Sequence, residues 1–287
     1  MRRSAHLVQQ LYRHTAPRYE SAIAPVMRPL AQSLVRTAAI HPTDTVLDIG
    51  TGTGVLVREL AGLPATIIGV DATLAMLRIA RRLRPFRSRS RVYFVLSDAN
   101  HLSGLADACC DVAFASFGLG DCQPRQALPA VARVLRPGGR LYLQEWGPTD
   151  GATDPRAIVD EMLADFVTET AQGLRLSFRQ HLAEPRPWDQ QLQDADDYAE
   201  ALAEAGFGAV QAAERRPVTV TFQPGVERFL AYALAWAPRH LELRAMPAAT
   251  RQAFHAAVTR RLMPLLDPDG ALRWRPAIFY AHGVKEI

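Results

Sequence analysis

Two hydrophobic patterns alternate through the first half of the chain. Short continuous apolar runs, bounded by turn residues, are typical of buried strands, and apolar residues at intervals of three and four are typical of helices. The runs predict strands at about 44–49, 65–70, 91–96, 110–116 and 139–145. The helical spacing predicts helices at about 53–61, 73–83 and 124–135. Strands that alternate with helices predict a parallel sheet covered by helices on both faces.

The segments on either side of these alternating strands and helices show other patterns. Residues 5–37 show a helical pattern, and Pro17 is predicted to start a second helical segment. A linker, a helix carrying Ile158, Met162 and Phe166, and an irregular stretch follow within 147–197. We interpret that region as a lid over a pocket.

The last part of the chain returns to alternating elements. A helix is predicted at 195–205, a strand at 209–222 with apolar residues at every second position, and a last strand at 277–284. Residues 225–266 are predicted to be helical, with breaks at Pro238, Pro247 and Pro264.

Three glycines follow the first predicted strand, at Gly50, Gly52 and Gly54, and a helix begins directly after them. Glycine lets a ligand approach the main chain closely, and the helix start presents unpaired N–H groups. A dinucleotide fingerprint needs G-x-G-x-x-G, whereas here the third glycine comes one residue early. Asp48 precedes the glycines, where it suits a cationic ligand better than a diphosphate.

Carboxylates also follow the next two predicted strands. Asp71 ends the second strand, where doubly wound folds place the acceptor for a ribose diol, and Asp98 follows the third. Because the carboxyl ends of parallel strands meet at one edge of the sheet, Asp48, Asp71 and Asp98 are predicted to share one pocket.

These motifs resemble the class I S-adenosylmethionine-dependent methyltransferases. The resemblance continues through Val92–Ala99, Asp111–Leu119 and the turn Arg133–Leu141, in the order and spacing of that family. It implies a doubly wound, seven-stranded, mostly parallel sheet whose last strand is antiparallel. It also implies one methyltransferase domain over 1–287. Its parts would be an N-terminal helical arm at 1–41, a cofactor-binding core at 42–146, a lid insertion at 147–197, and C-terminal strands at 198–287 with a helical insertion at about 225–270.

The resemblance implies S-adenosyl-L-methionine as the cofactor and a set of residues that bind it. That set is Tyr19, Asp48, Gly50, Thr51, Gly52, Gly54, Asp71, Ala72, Met76, Asp98, Ala99, Ser116 and Phe117. Within it the glycine turn would hold the methionine part, with Asp48 supporting the turn and the amine. Asp71 would accept from both ribose hydroxyls.

The remaining members of the set would serve the adenine and the sulfonium. Ala72 and Met76 would flank the adenine, and Asp98 would accept from its amine beside the Ala99 backbone. Ser116 and Phe117 would lie near the sulfonium, and Tyr12 and Tyr19 are the aromatic candidates on the arm that covers the pocket. Two alternatives from the residues alone remain open: Met76 as a core residue, and Asp98 as a helix cap.

No catalytic base is assigned. Asp121, Tyr142, Glu145 and His181 are candidates by position only. The stretch 116–119 lacks the Asn-Pro-Pro-aromatic signature of enzymes that methylate amino groups of nucleic acids and proteins, which argues against those acceptors.

Charge gives no strong indication of a nucleic-acid partner. The 287-residue chain has a formal net charge of +4, and its densest basic stretch holds seven arginines between Arg78 and Arg91. That stretch is either a solvated helix end or a binding patch. We expect a small-molecule acceptor, with Phe178, Trp188, Phe229 and Trp236 as the aromatics nearest to it. The alternatives are an RNA or tRNA methyltransferase, a catalytically silent regulatory protein that binds the cofactor, and an NAD(P)-dependent dehydrogenase.

The three cysteines, Cys109, Cys110 and Cys122, lack a C-x-x-C spacing, so neither a disulfide framework nor a metal site is expected. The sequence shows no apolar run long enough to span a membrane and no signal-peptide pattern, so the expected location is the cytoplasm. The oligomeric state is left open.

Overall fold

The structure is a computed structural model that describes residues 2–63, 65–85, 89–148, 153–166, 188 and 191–286. The elements of the first half follow. They are α1 (Arg2–Arg18), a π-helical turn (Tyr19–Ile23), α2 (Ala24–Val35), β1 (Thr45–Ile49), α3 (Val55–Leu60), β2 (Thr66–Asp71), α4 (Leu74–Leu83), β3 (Arg91–Leu96), β4 (Cys110–Ser116), α5 (Pro124–Val134) and β5 (Leu135–Trp146).

The second half contributes more helices and the remaining strands. They are α6 (Pro155–Phe166), α7 (Ala195–Glu204), β6 (Phe207–Arg215), β7 (Val220–Phe222), α8 (Gly225–Ala233), α9 (Ala237–Ala245), α10 (Ala248–Leu262), a 3-10 turn (Met263–Leu265), β8 (Leu272–Trp274) and β9 (Ile278–Lys285).

Seven strands form one sheet in the order β3-β2-β1-β4-β5-β9-β6. β9 runs antiparallel to both of its neighbours, β5 and β6, and the pairs on the other side of β5 are parallel. The predicted fold class is therefore confirmed. The order reverses between β1 and β4, whose following loops lead to helices on opposite sides of the sheet, and such a switch point leaves a crevice.

The core lies on both faces of the sheet, because side chains along a strand alternate between faces. Val46, Phe114 and Tyr142 point to the face covered by α2, α3, α6, α8 and α10. Their chain neighbours Leu47 and Ala113 point to the face covered by α5 and α7. Burial on both faces explains why these strands appear as continuous apolar runs in the sequence.

Two sequence predictions about element boundaries are wrong. The strand predicted at 209–222 is two strands, since β6 ends at Arg215 and β7 pairs with β8 in a separate two-stranded sheet. Pro217 stands between them without an N–H to donate to a ladder. The alternation over Val220–Phe222 does exist, but it belongs to this small sheet.

The arm also breaks at a different place than predicted. α1 continues through Pro17, and the interruption is the π-helical turn Tyr19–Ile23. This turn comes directly before Pro25, which has no N–H to donate to the carbonyl of Ser21 and so favours a wider turn there.

The predicted lid is described only in part. α6 matches the predicted helix, but residues 167–187 lie outside the described residues, and Phe178 and His181 are among them. Within the described part of the chain, no helix has both the length and the apolar character needed to cross a membrane.

Candidate functional site

The loops after β1 and β4 touch backbone to backbone at the switch point. Gly50 has a φ of +69°, in the left-handed region that favours glycine. A Cβ placed on Gly118 would lie 2.9 Å from the Cα of Gly50 and closer still to the carbonyl oxygen of Ile49. Only glycine fits this contact, so the main chain of both loops is exposed toward the crevice instead of being covered by side chains.

Two carboxylates, a buried one at Asp48 and a half-buried one at Asp71, support the glycine turn. Asp71 Oδ2 accepts a hydrogen bond from the Gly52 N–H at 2.9 Å, and its Oδ1 accepts from the Thr73 N–H at 2.7 Å. Asp48 Oδ2 accepts from the Thr51 hydroxyl at 2.6 Å. The two carboxylates therefore tie the turn to the ends of β1 and β2.

Burial changes the ionisation of both carboxylates. Desolvation raises the pKa of Asp48 to about 7, and the neighbouring charge of Asp71 adds to the rise. Desolvation likewise raises the pKa of Asp71 to about 6, against the lowering effect of its hydrogen bonds. A ligand that brings a positive charge or hydroxyl donors to this place would stabilise the ionised forms.

Asp98 follows β3 and lines the same cavity. Its Oδ1 accepts from both the backbone N–H and the side-chain amide of Asn100, each at 2.9 Å. Asp98 thus stabilises the loop after β3, as a capping residue does, while it also faces the crevice.

Aromatic side chains form a further part of the cavity lining. We call Tyr19, Phe117, Trp146 and Trp236 the aromatic wall. The ring centroids of Phe117 and Trp146 lie 4.2 Å apart, and Trp236 stands edge-on to Trp146 at 6.3 Å and to Tyr19 at 6.0 Å. Phe117 has a φ of +58°, a strained conformation for a non-glycine residue that its N–H bond to the Gln144 carbonyl supports.

The cavity has a volume of about 150 Å³ and is open to solvent. Of the residues predicted to bind the cofactor, the structure places these in its lining: Tyr19, Gly50, Gly52, Asp71, Ala72, Met76, Asp98, Ala99 and Phe117. It also places Tyr12 and Asp121 there.

Four predicted site residues do not line the cavity. Asp48 and Thr51 are buried under the glycine turn and bonded to each other. Gly54 starts α3, where a Cβ would meet Ala80. Ser116 turns its hydroxyl to the amide of Gln144, which donates to it at 2.9 Å.

Two of the aromatics expected near the acceptor are core residues instead. Trp188 is fully buried on the other face of the sheet, where its indole N–H donates to the Tyr198 hydroxyl at 3.0 Å. Phe229 is fully buried against Phe222. Of the four aromatics predicted, only Trp236 lines the described cavity, and Phe178 lies outside the described residues.

Two of the candidate bases also lie in the core. Tyr142 stacks on Phe114 at 5.5 Å, and Glu145 Oε1 accepts from the N–H of Leu119 at 3.0 Å. His181 lies outside the described residues.

Trp146 lines the cavity but was missed in the sequence analysis. It is the last residue of β5, and the rule that ligands bind at the carboxyl ends of strands points to that position.

The geometry fits S-adenosylmethionine. Bare main chain at the glycine turn lets a ligand approach closely, and Asp71 at the end of β2 can accept from vicinal hydroxyls. Buried carboxylates with raised pKa values favour a ligand that carries a sulfonium and an ammonium. Aromatic faces are attracted to such cations through their ring quadrupole.

Comparison with known proteins decides the family. The family model described as "Methyltransferase domain" matches residues 47–143. Demethylmenaquinone methyltransferase from Renibacterium salmoninarum is 32% identical over 174 residues, which are 59% of this chain and 68% of that protein. The chain belongs to the class I S-adenosylmethionine-dependent methyltransferases.

Solved structures of low sequence identity share the fold of this methyltransferase. YcgJ from Bacillus subtilis superposes with a TM-score of 0.55 at 18% identity, covering 89% of this chain and 98% of that chain. Phosphoethanolamine N-methyltransferase 2 from Haemonchus contortus, solved with S-adenosyl-L-methionine, superposes with a TM-score of 0.52 at 17% identity. This match covers 88% of this chain and 51% of the other.

The methyltransferase uses S-adenosylmethionine as its cofactor. The bound cofactor supplies an activated methyl group on its sulfonium. The protein's own contribution is to bind and orient the two reactants and to exclude water. The expectation of an S-adenosylmethionine-dependent enzyme is confirmed, and the dehydrogenase alternative is excluded. The residues that contact the cofactor remain predictions.

Proposed function

We propose that this methyltransferase acts on a small, flat, apolar acceptor that stacks on the aromatic wall. The observation that carries the proposal is the composition of the cavity lining. Main-chain groups and carboxylates of the strand-end loops supply one part of the lining, and the rings of Phe117, Trp146 and Trp236 supply another. Apolar pockets with few polar groups are typical of sites for small ligands.

The charges of the lining also support an uncharged acceptor. Among the described residues, the charged ones that line the cavity are all acidic: Asp71, Asp98 and Asp121. A phosphorylated acceptor or a nucleic acid would need arginine or lysine there, because phosphate contacts dominate such binding. The relative from Renibacterium salmoninarum, named for a demethylated quinone, makes a reduced naphthoquinone ring a suitable first acceptor to test.

The proposed step forms a bond between a ring carbon of the quinol and the methyl group while the sulfur–methyl bond breaks. The bonding pair of that sulfur–methyl bond stays on sulfur and yields S-adenosylhomocysteine. The ring carbon then loses its proton to solvent or to a base. The aromatic wall orients the ring so that its attacking carbon lies in line with the breaking sulfur–methyl bond.

The N-terminal arm is proposed to cover the reactants. Tyr12 and Tyr19 of the arm line the cavity, and Glu20 pairs with Arg58 of α3 at 3.1 Å. Burial raises the pKa of Tyr19, so that its hydroxyl remains protonated. The division into an arm at 1–41, a core at 42–146, a lid at 147–197 and a C-terminal part at 198–287 belongs to this proposal.

The test is methyl transfer from isotope-labelled S-adenosylmethionine to 1,4-naphthoquinol, assayed without oxygen and detected by product mass. Bulk tRNA and phosphoethanolamine serve as charged alternatives under the same conditions. We expect label on the naphthoquinol alone. Label on tRNA, with a rate that falls steeply as salt rises, would overturn the proposal in favour of a nucleic-acid acceptor.

A further inference from the structure

A buried arginine stands directly behind the aromatic wall. Arg156 is near the start of α6, and only 9% of its side chain is exposed. Its guanidinium carbon lies 4.9 Å from the ring centroid of Trp146 and 4.9 Å from that of Trp274. The two indole rings are stacked with their centroids 5.6 Å apart. Arg156 therefore contacts both members of a tryptophan pair through cation–π interactions.

Asp154 fixes the direction of this guanidinium. Its Oδ2 accepts from Arg156 Nη2 at 3.0 Å, and its Oδ1 accepts from Nε at 3.3 Å and from the Arg156 backbone N–H at 2.8 Å. The aspartate side chain is 6% exposed. Because Asp154 accepts from both the backbone N–H and the guanidinium of Arg156, the arginine side chain has little conformational freedom.

Stability alone does not explain a buried ion pair. Removing two charges from water costs several kcal/mol, which their attraction often fails to offset, so apolar side chains of similar size serve a core equally well. A role in placing neighbouring groups explains the pair better. Among the neighbours of Arg156 are the two tryptophans.

Trp146 connects Arg156 to the cavity. One neighbour of its ring is Arg156 and another is Phe117, at 4.2 Å, and both Trp146 and Phe117 line the cavity. Trp274 comes from β8 and contacts Tyr232 at 5.9 Å, which in turn contacts Trp236 at 6.2 Å. Arg156 thus lies behind Trp146, which lines the cavity, and also contacts Trp274, which leads through Tyr232 to the second lining ring, Trp236.

We propose that Arg156, oriented by Asp154, is a positioning residue that holds Trp146 in the plane against which the acceptor stacks. This proposal rests on the proposed function, because it places the acceptor against the aromatic wall. Arg156 does not touch the reactants, and it acts through the ring of Trp146. Arginine suits the role because its planar guanidinium both stacks on rings and pairs with a carboxylate through two bonds, which lysine does not reproduce.

The chain offers a matched control in Arg239 of α9. This arginine also pairs with an aspartate of α6, through Nε to Asp160 Oδ1 at 2.6 Å and Nη2 to Oδ2 at 2.7 Å. Its side chain is 17% exposed, and its Nη1 donates to the Ala233 carbonyl at 3.3 Å. Arg239→Met therefore removes a two-bond arginine–aspartate pair to the same helix, with an aspartate that is 56% exposed, without removing a partner of Trp146.

The experiment compares Arg156→Met, Arg156→Lys and Arg239→Met in the full chain. We expect Arg156→Met to raise the KM for 1,4-naphthoquinol about tenfold, while the Kd for S-adenosylhomocysteine changes by less than about twofold. Arg156→Lys should recover part of that loss, and Arg239→Met should leave both constants within about twofold. Equal changes of KM in the two methionine variants, or an unchanged KM in Arg156→Met, would overturn the proposal.

Near-ultraviolet circular dichroism keeps the test independent of the acceptor. The contribution of Trp146 is first defined as the difference between the wild-type spectrum and that of Trp146→Phe. Arg156→Met should lose this contribution and Arg239→Met should keep it. If wild-type protein fails to methylate naphthoquinol, the proposed function fails, and the spectra still decide whether Arg156 holds Trp146. An unchanged Trp146 contribution in Arg156→Met would refute the positioning role.

Discussion

The lining of the cavity has two parts, which are built in different ways. One part comes from the loops after three consecutive strands, between Gly50 and Asn100, and consists mostly of backbone groups and carboxylates. The other part, the aromatic wall, takes one ring each from the π-helical turn, the loop after β4, the end of β5 and the loop between α8 and α9. The first part depends on the local shape of the main chain, whereas the second depends on how distant segments pack.

The sharpest test of this comparison is one added methyl group at the switch point. Gly118→Ala places a Cβ 2.9 Å from the Gly50 Cα and closer to the Ile49 carbonyl, and backbone cannot move aside as a side chain can. We expect a loss of at least about 3 kcal/mol of unfolding free energy, together with loss of cofactor binding. Chemical denaturation and calorimetry measure the two effects.

Gly62→Ala is the control, because a Cβ at that position would meet nothing within 4 Å. Its unfolding free energy should stay within about 0.5 kcal/mol of the wild-type value. A Gly118→Ala protein of normal stability that still binds the cofactor would show that the two loops do not depend on this contact.

The next largest effect is expected at Asp71. Asp71→Ala removes a carboxylate that accepts from the turn and is proposed to accept from the ribose hydroxyls, so cofactor affinity should fall by about 1–3 kcal/mol. Asp107→Ala, at an exposed aspartate paired with Arg133, should leave the affinity within about twofold. Affinity measured by calorimetry and found equal in the two variants would remove the ribose assignment.

Cofactor binding should also depend on pH in a direction that the buried carboxylates determine. Burial raises the pKa of Asp48 to about 7 and that of Asp71 to about 6, so at mildly acid pH the folded protein retains protons that the unfolded chain has released. These protonated carboxyl groups contribute to folding stability at acid pH, and the contribution is lost as the pH rises through about 6 and 7.

A cationic ligand favours the ionised carboxylates, so its affinity should rise by about tenfold between about pH 5.5 and about pH 7.5, with release of protons on binding. Calorimetry in buffers of different ionisation enthalpy counts those protons. Asp48→Asn should flatten the profile. An affinity that falls as the pH rises would contradict the expected role of the carboxylates.

The smallest expected effect concerns the aromatic wall. Trp236→Leu removes one ring of the lining, so the KM for 1,4-naphthoquinol should rise about fivefold while cofactor affinity stays constant. Phe229→Leu changes a fully buried ring in the core and should lower the melting temperature without changing the KM. A KM that responds to Phe229→Leu as strongly as to Trp236→Leu would mean that the aromatic wall is not the part of the protein that binds the acceptor.

The same contrast explains how far the sequence could predict the structure. Strand ends, glycines and carboxylates between 42 and 146 are local signals, and the structure places Asp71, Asp98 and the glycine turn together as predicted. Trp146 ends a strand, a position to which the rule on strand ends points, whereas Trp188 stands among prolines and polar residues and carries no such signal. Its burial on the other face of the sheet is a tertiary contact that spacing cannot predict.

Short elements were the second source of error. β7 and β8 have three residues each, too few for alternation to separate them from β6 or from a loop. Ser116 shows a related limit, because a strand end allows either face, and the hydrogen bond from Gln144 is a tertiary contact that spacing cannot predict.

The position of β9 bears on how the protein is made on the ribosome. Residues Ile278–Lys285 fill the gap between β5 and β6, and among the described residues no other strand pairs with β6. During synthesis β5 and β6 emerge well before the strand that joins them, and both present open edges until then. The nascent chain can close its glycine turn early, but it completes the sheet only after Ile278–Lys285 has left the exit tunnel. A messenger cut short before Ile278 would release a polypeptide with two exposed strand edges, the kind of species that quality control has to remove.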